Sequence, residues 1–429
     1  MRHSYYNILL IAFSFILFTA CKKDTKDIIK DPDYDTHLKF IPGEETKIIE
    51  ALLTIKNKTW IELAEGKYSF ENLSIVGVDM IKFTGAGKDK TILDFSNQSS
   101  GGEGILITDI SNFIISGMKI MDSEGDLLKV RKGYNVIINN IAAVWSKEGD
   151  STNGGYGLYP VLCDGIVIDS CYVEGASDAG IYVGQSNDAV IKNSKAYKNV
   201  AGCEVENTTN AEVYNNEFYG NTGGLLIFDL PGLSKKGGKI KVYNNYIHDN
   251  NYKNFAPSAS FGTSTGVGNC PPGSGILHVA TSDVEIFNNR IINNNTASIF
   301  VVSGLILDEN AIDKIGDNYD PFPKNISIHD NEMSKKPNFP EAAYNHEFGK
   351  KLILIHTYLH STDSEMHPYL QQIVIDGMNT NLITGGVKTN PDNLCIKESE
   401  PNLFLNSDFG NLSTDEWNPS TDIASYICP

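Results

Sequence analysis

Lys129, Arg131, Tyr182, Glu204 and Glu206 carry the side chains best suited to acid–base work in this 429-residue chain, and an internal repeat sets them side by side. Alignment of the repeats puts Arg131, Gly184, Glu206 and Phe228 in one outward column and Lys129, Tyr182 and Glu204 in the next, to within one residue. Two chemistries fit such a patch. Abstraction of the proton alpha to a carboxylate needs a cation to stabilise the developing charge and a base to take the proton. Arg131 with Lys129 would supply the first and Tyr182 the second. Glycoside hydrolysis needs two carboxyl groups about 5 to 9.5 Å apart, and Glu204 with Glu206 or Asp229 would meet that. Glu204, Glu206 and Asp229 are equally candidates for ligand binding, and Asp178, Glu206 and Asp229 could hold calcium through oxygen ligands. Against these readings stands a plain one: outward residues of a strand are usually polar, so Lys129 and Arg131 also fit a solvated face. Acids crowded on stacked coils, by contrast, are a costly arrangement without a cation.

The elements that position these residues follow from the repeat. IYVGQSNDAVIKNSKAYKNVAG, residues 181–202, is followed at once by CEVENTTNAEVYNNEFYGNTGG, residues 203–224, both 22 residues long. Each holds two short alternating strands and a third segment, with polar turns ending in Asn or Gly. Side chains of a strand alternate in and out, and neighbouring strands lie about 4.8 Å apart, so such coils stack like on like. With the residue closing the second strand as ruler, the equivalents are Ser116, Asn139, Asp169, Asn193, Asn215, Asn244, Asn288, Asp330 and Asp376, at spacings of 23, 30, 24, 22, 29, 44, 42 and 46. The short spacings predict bare coils and the long ones coils with insertions. Two residues before each ruler stand Ile114, Ile137, Val167, Ile191, Val213, Val242, Ile286, Ile328 and Val374, an expected inward column. Asn at the ruler suits a left-handed turn, and its amide is expected to bond the next Asn along the axis. One coil cannot bury its own apolar face, so stability must come from the stack. The insertions at Trp145–Tyr159 and Tyr252–Gly275 would wall the outward columns.

The ends need caps, because open strand edges invite aggregation. EETKIIEALLTIK, residues 44–56, spaces Ile48, Ile49, Leu52 and Leu53 as a helix would, which predicts a capping helix over the first coil. Before it, Arg2 and His3 precede an apolar run from Ile8 to Phe18 and Thr19-Ala20-Cys21, the pattern of a secretory signal ending at a lipidation site. The run is about half what a membrane-spanning helix needs. Lipidation would use Cys21 and leave Cys163, Cys171, Cys203, Cys270, Cys395 and Cys428, of which Cys395 and Cys428 are the first pair expected to bridge. The partners of the other four stay open. No CxxC or CxxCH occurs, so zinc-ribbon and attached-haem spacings are absent.

With 35 basic and 53 acidic side chains the net charge is -18, and removal of residues 1–20 takes away Arg2 and makes it -19. A polyanion such as nucleic acid would be repelled. A polyuronate would be disfavoured as well, unless a local basic patch or bound calcium reverses the field. His278 falls on an inward position and reads as a hydrogen-bonded core histidine, whereas His356, His360 and His367 are spaced too loosely to point to a metal site.

The paired short strands and Asn turns resemble the pectate-lyase-like superfamily, which implies an all-β fold, a right-handed parallel β-helix with an N-terminal capping helix. NVAGCEVENTTNAEVYNNEFYGNTGGLLIFDLPGL, followed by NNYKNFAP and the Gly-rich STGVGNCPPGSGILHVA, is similar to one group within it: envelope-associated β-helix proteins of Gram-negative bacteria, some fused to a c-type cytochrome. No cytochrome motif is present here, and Leu162 follows Tyr159-Pro160-Val161 where the resemblance leads one to expect Gln. The expected organisation is a lipoprotein signal over 1–20, a tether over 21–42, the β-helix over 43–380 and a disulfide-closed tail or cap over 381–429. The expected function is that of a monomeric, lipid-anchored protein of the cell envelope, at a Gram-negative outer membrane. It would bind an acidic polysaccharide and, as an enzyme, cleave it by lyase action or epimerise it, with calcium as the candidate cofactor. Two alternatives remain: a non-catalytic surface or scaffold module, and a periplasmic metal-handling protein, against which the scarcity of Met and clustered His argues.

Overall fold

The computed structural model describes residues 34–99, 101–258, 266–362, 372–398 and 404–428. The signal segment, Cys21, most of the tether and His367 lie outside the described residues. A bare coil consists of the strands Ala179–Gly184, Asn187–Lys192 and Lys195–Tyr197, and the next of Ala201–Glu206, Thr209–Tyr214 and Glu217–Tyr219. Each strand pairs in parallel with its equivalent one coil on: Val183 lies opposite Val205, Ile191 opposite Val213 and Ala196 opposite Phe218. Three parallel sheets result, here called A, B and C in the order of those strands. Two strands, Ile105–Met121 and Leu128–Val144, run through all three without a break.

Alternation fills the interior. Ile115, Ile138, Ile168, Ile191, Val213 and Val242 stack in one inward column of sheet B, all fully buried. This corrects the expected column in its first three members. Ile114, Ile137 and Val167 lie one residue off and face outward, so the true turn residues there are Gly117, Asn140 and Ser170 rather than Ser116, Asn139 and Asp169. Strand periodicity of two means that a slip of one residue exchanges the faces. Asp376 also leaves the ruler series. Val374 pairs with Phe300 in sheet A, and sheet B continues instead through Leu394–Lys397.

The turns behave as their residue types require, with a division of labour between neighbours. Asn193, Asn215, Asn244, Asn288 and Asp330 adopt left-handed φ of 51 to 56°, a region that Asn and Asp tolerate better than other side chains. The amide ladder is formed by the residue after each. Asn245 Oδ1 accepts the backbone N–H and the Nδ2–H of Asn216, both at 3.0 Å, and Asn245 Nδ2 donates to Asn289 Oδ1 and Val213 O at 2.9 Å. The ladder continues through Asn331 and ends on the Glu398 carboxylate. A second ladder runs through Asn199, Asn221, Asn250 and Asn294. These amides are buried, so a missing rung leaves unpaired groups on both neighbours. Asn245→Ala is expected to lower stability by about 2–4 kcal/mol, read as the shift of the denaturant midpoint. A shift smaller than about 0.5 kcal/mol would show that the ladder is dispensable.

Both ends of the stack extend past their expected limits. Thr36–Phe40, inside the segment read as tether, is a strand parallel to Thr59–Leu63. It covers an edge that would otherwise expose backbone groups. The helix Glu45–Leu53 caps the first coils by burying Ile48 and Leu52, while Ile49 and Leu53 stay exposed. At the other end, Leu394–Lys397 pairs with Ile326–His329, and Phe404–Asn406 with Ile373–Ile375. The segment read as tail therefore contributes strands to the stack. Cys395 and Cys428 are bridged there, with Cα atoms 5.1 Å apart. Cys163, Cys171, Cys203 and Cys270 are free and buried, and burial pushes their thiols above the ordinary range.

Candidate functional site

Sheet A differs from the other two on its outward face. Strands such as Gly223–Phe228, Ser274–Val279 and Ala297–Val302 are buried at every position, the mark of a sheet covered on both sides. The cover includes the insertions, the segment Gly304–Ile306 and the helix Glu347–Thr362, which pack a second apolar layer onto the outward side chains of the sheet. The two insertions expected to wall the outward columns meet at their rims. Glu148 Oε1 lies 2.6 Å from Lys198 Nζ and accepts the Tyr252 hydroxyl at 3.5 Å.

Under this cover lies a recessed crevice of carboxyl groups and tyrosines. Pairing aligns Lys129, Tyr159, Tyr182 and Glu204 in one outward column of sheet A, and Arg131, Val161, Gly184 and Glu206 in the next. Tyr182 leans along its strand over Gly184, where a Cβ would come within 2.1 Å of the Tyr182 hydroxyl oxygen. That hydroxyl donates to Glu206 Oε1 at 2.7 Å. Tyr156 and Tyr159, from the first insertion, close on it with ring centroids 4.4 to 4.8 Å apart among the three. Tyr156 donates its hydroxyl to Asp178 Oδ2 at 3.3 Å and its backbone N–H to Asp126 Oδ1 at 3.2 Å. Glu204 and Tyr182 are buried at 4 % and 3 % exposure. Asp178, Glu206, Tyr156 and Tyr159 are half-buried.

Burial sets the electrostatics. It pushes Asp178 up to about 7, with Glu206 and Asp126 adding repulsion against the Tyr156 hydrogen bond. Glu204 is raised well above the carboxylate range by burial and by Asp178 and Glu206. Burial also raises Glu206, opposed by the hydroxyl of Tyr182. Asp126 stands at about 6 because burial outweighs Lys129. Glu204 Oε2 has no hydrogen-bond partner among the described residues. Glu204 and Glu206 are two residues apart on one strand, which sets their Cα atoms about 6.5 Å apart.

The structure thus brings Lys129, Tyr182, Glu204, Glu206 and Asp178 into one neighbourhood and sets others aside. Lys129 is tied to Glu103 at 3.1 Å and Asp126 at 3.5 Å and lies over the Tyr159 ring. Arg131 is exposed and three coils from Glu206. Tyr182 is a committed donor, raised well above 10 by burial and the acids, so the proton-abstracting role read for it does not fit. Asp229 serves the fold, since both its oxygens accept the N–H of Gly237, at 3.0 and 3.1 Å. Asp178, Glu206 and Asp229 form no calcium ligand set: among the described residues no group of three His, Cys, Asp or Glu is arranged to hold a metal. His278 faces inward between Ile227 and Val301, bonds Thr281 O through Nε2 at 2.7 Å, and is held neutral by burial, at about 4. Sequence reasoning missed Asp126, Tyr156 and Tyr159 as members of the crevice. Tyr159 was within reach, because it stands between Lys129 and Tyr182 in the same column. A second recess of about 390 Å3 lies farther along sheet A, floored by Leu277, Val279 and Val302. Its Glu347 pairs with Lys351 at 3.5 Å, and it gathers no comparable acid–base groups.

Residues 150–334, which include Tyr156, Tyr159, Asp178, Tyr182, Glu204 and Glu206 but not Asp126 or Lys129, match the family model described as a right handed beta helix region. The fold is a right-handed parallel β-helix. Solved β-helix structures similar to it include the A-module of mannuronan C-5 epimerase AlgE4 from Azotobacter vinelandii, at 16 % identity and TM-score 0.44 over 69 % of this chain and 84 % of that one. An alginate lyase from Paenibacillus sp. matches at 14 % identity and TM-score 0.45, over 69 % and 95 %. An exopolygalacturonase from Thermotoga maritima matches at 10 % identity and TM-score 0.43, over 72 % and 92 %. No curated protein sequence matches the chain.

Proposed function

We propose that the β-helix binds a glycan in the crevice over sheet A and hydrolyses it, with Asp178 as general acid and Glu206 as general base. One observation carries this reading: carboxyl groups on adjacent coils are recessed together and half-buried at Asp178 and Glu206, with Asp178 pushed up to about 7 by burial and Glu206 raised in the same direction. A carboxylic acid that keeps its proton near neutrality can give it to a leaving glycosidic oxygen. Glu206, steadied by the Tyr182 hydroxyl, would take a proton from the attacking water, whose oxygen bonds to the anomeric carbon as the glycosidic C–O bond breaks. Burial keeps Asp178 protonated, and repulsion from Glu206 and Asp126 adds to it. Lyase or epimerase chemistry on a uronate is less well supported, because Lys129 is already neutralised by acids and Arg131 lies outside the crevice. Envelope anchoring through a lipid on Cys21 is part of the proposal and rests on the signal-like start of the chain.

Incubation of the mature chain with a panel of neutral, basic and acidic polysaccharides tests the reading. The expected result is new reducing ends without the ultraviolet absorbance of unsaturated sugars. Unsaturated products would replace hydrolysis with lyase action, and neither product nor binding across the panel would leave a scaffold module.

A further inference from the structure

We propose that the crevice recognises a protonated amine, carried by a sugar unit of the glycan. The inference rests on the glycan reading above and names the substrate class. Four carboxyl groups, Asp126, Asp178, Glu204 and Glu206, converge there, and Lys129, the cation that touches them, is shared between Asp126 and Glu103. Glu204 points outward from sheet A in register with Tyr182, is buried at 4 % exposure, and keeps one oxygen without a partner. A buried polar atom of this kind is costly unless something donates to it. The rings of Tyr156, Tyr159 and Tyr182 pack against one another beside these acids, with centroids 4.4 to 4.8 Å apart, and an aromatic face next to carboxylates attracts an ammonium group. The Nζ of Lys129, 4.7 Å from the centre of the Tyr159 ring, already uses that property from one side.

The alternatives fare worse on the same groups. A uronate would add a further negative charge where the existing acids already resist ionisation together. A neutral sugar would donate hydroxyl hydrogen bonds but leave the repulsion in place. An ammonium group both donates to Glu204 and allows Glu204 to ionise beside it, so its binding releases a proton to solvent.

Calorimetric titration of the mature chain with a glucosamine oligomer, its fully N-acetylated counterpart, an oligouronate of equal length, and methylammonium alone tests this. The glucosamine oligomer is expected to bind at least about tenfold more tightly than the N-acetylated one, with a heat that varies with the buffer because protons are released. Glu204→Gln is expected to erase that preference while its melting curve stays cooperative. Equal or tighter binding of the N-acetylated oligomer or the oligouronate would overturn the amine proposal and leave the glycan reading standing. Binding of methylammonium but of no oligomer would leave the amine site standing without the glycan. A preference unchanged by Glu204→Gln would overturn the assignment to this crevice.

Discussion

Glu204→Gln is expected to make the protein more stable, by about 1–3 kcal/mol above neutral pH, and to remove part of its stability loss in that range. The side chain is buried, one oxygen is unpartnered, and its charged form faces Asp178 and Glu206. The amide keeps the shape, cannot ionise, and donates to its acidic neighbours. The sign of the pH dependence follows from the direction of the shifts. Asp126 and Asp178 titrate near 6 and 7 in the folded protein, above the ordinary value of about 3.9 in an unfolded chain. Their contribution is fully present below about pH 4 and is lost as pH rises through the folded values. Asp229, at about 7, and Asp376, at about 6, add to the same trend. Denaturant titrations of wild type and Glu204→Gln at about pH 5 and about pH 8 should show the two converging at the lower pH and separating at the higher. A variant less stable than wild type at both would mean that the Glu204 charge is balanced by a partner.

Asp178→Asn and Glu206→Gln should each reduce kcat by about 10²–10⁴-fold on whichever glycan is cleaved, with little effect on the fold. The wild-type rate should fall on the alkaline side as Asp178 gives up its proton near pH 7. Asp178→Asn should lose that limb of the profile altogether. Kinetics across pH on the three proteins, with melting curves as controls, decide the matter. An alkaline limb that persists in Asp178→Asn would assign the acid to another group.

Strong β-patterning made the architecture legible, because Val and Ile recur at every second position of short strands between Asn turns. The register was less legible where polar residues are adjacent. In Asn139-Asn140 and Asp169-Ser170 both members suit a turn, so pattern alone could not choose which one takes the left-handed φ. The same ambiguity assigned the amide ladder to Asn215 and Asn244 instead of Asn216 and Asn245. The late coils were harder still: long insertions separate Ala297–Val302 from Ile373–Ile375, and Val374 mimics an inward residue while facing outward.

The columns of the site were readable because register follows from the repeat, so Tyr182, Glu204 and Glu206 fell into place beside Lys129. What sequence could not supply was the cover. Outward acids look solvated until insertions fold over them, and that cover converts surface charges into raised, recessed carboxyl groups. It also explains why Tyr182 reads as a base in sequence and acts as a donor in the structure, since desolvation holds its hydroxyl proton in place.

Carboxyl carbon chemical shifts of Asp178, Glu204 and Glu206, followed by NMR from about pH 4 to about pH 9 with and without a bound oligosaccharide, bear most directly on the crevice as an acid–base site. The prediction is that Glu204 and part of the Asp178 population remain protonated at neutral pH and that both respond when the oligosaccharide binds. Three carboxyl groups that all ionise near about pH 4, unmoved by any glycan, would contradict it.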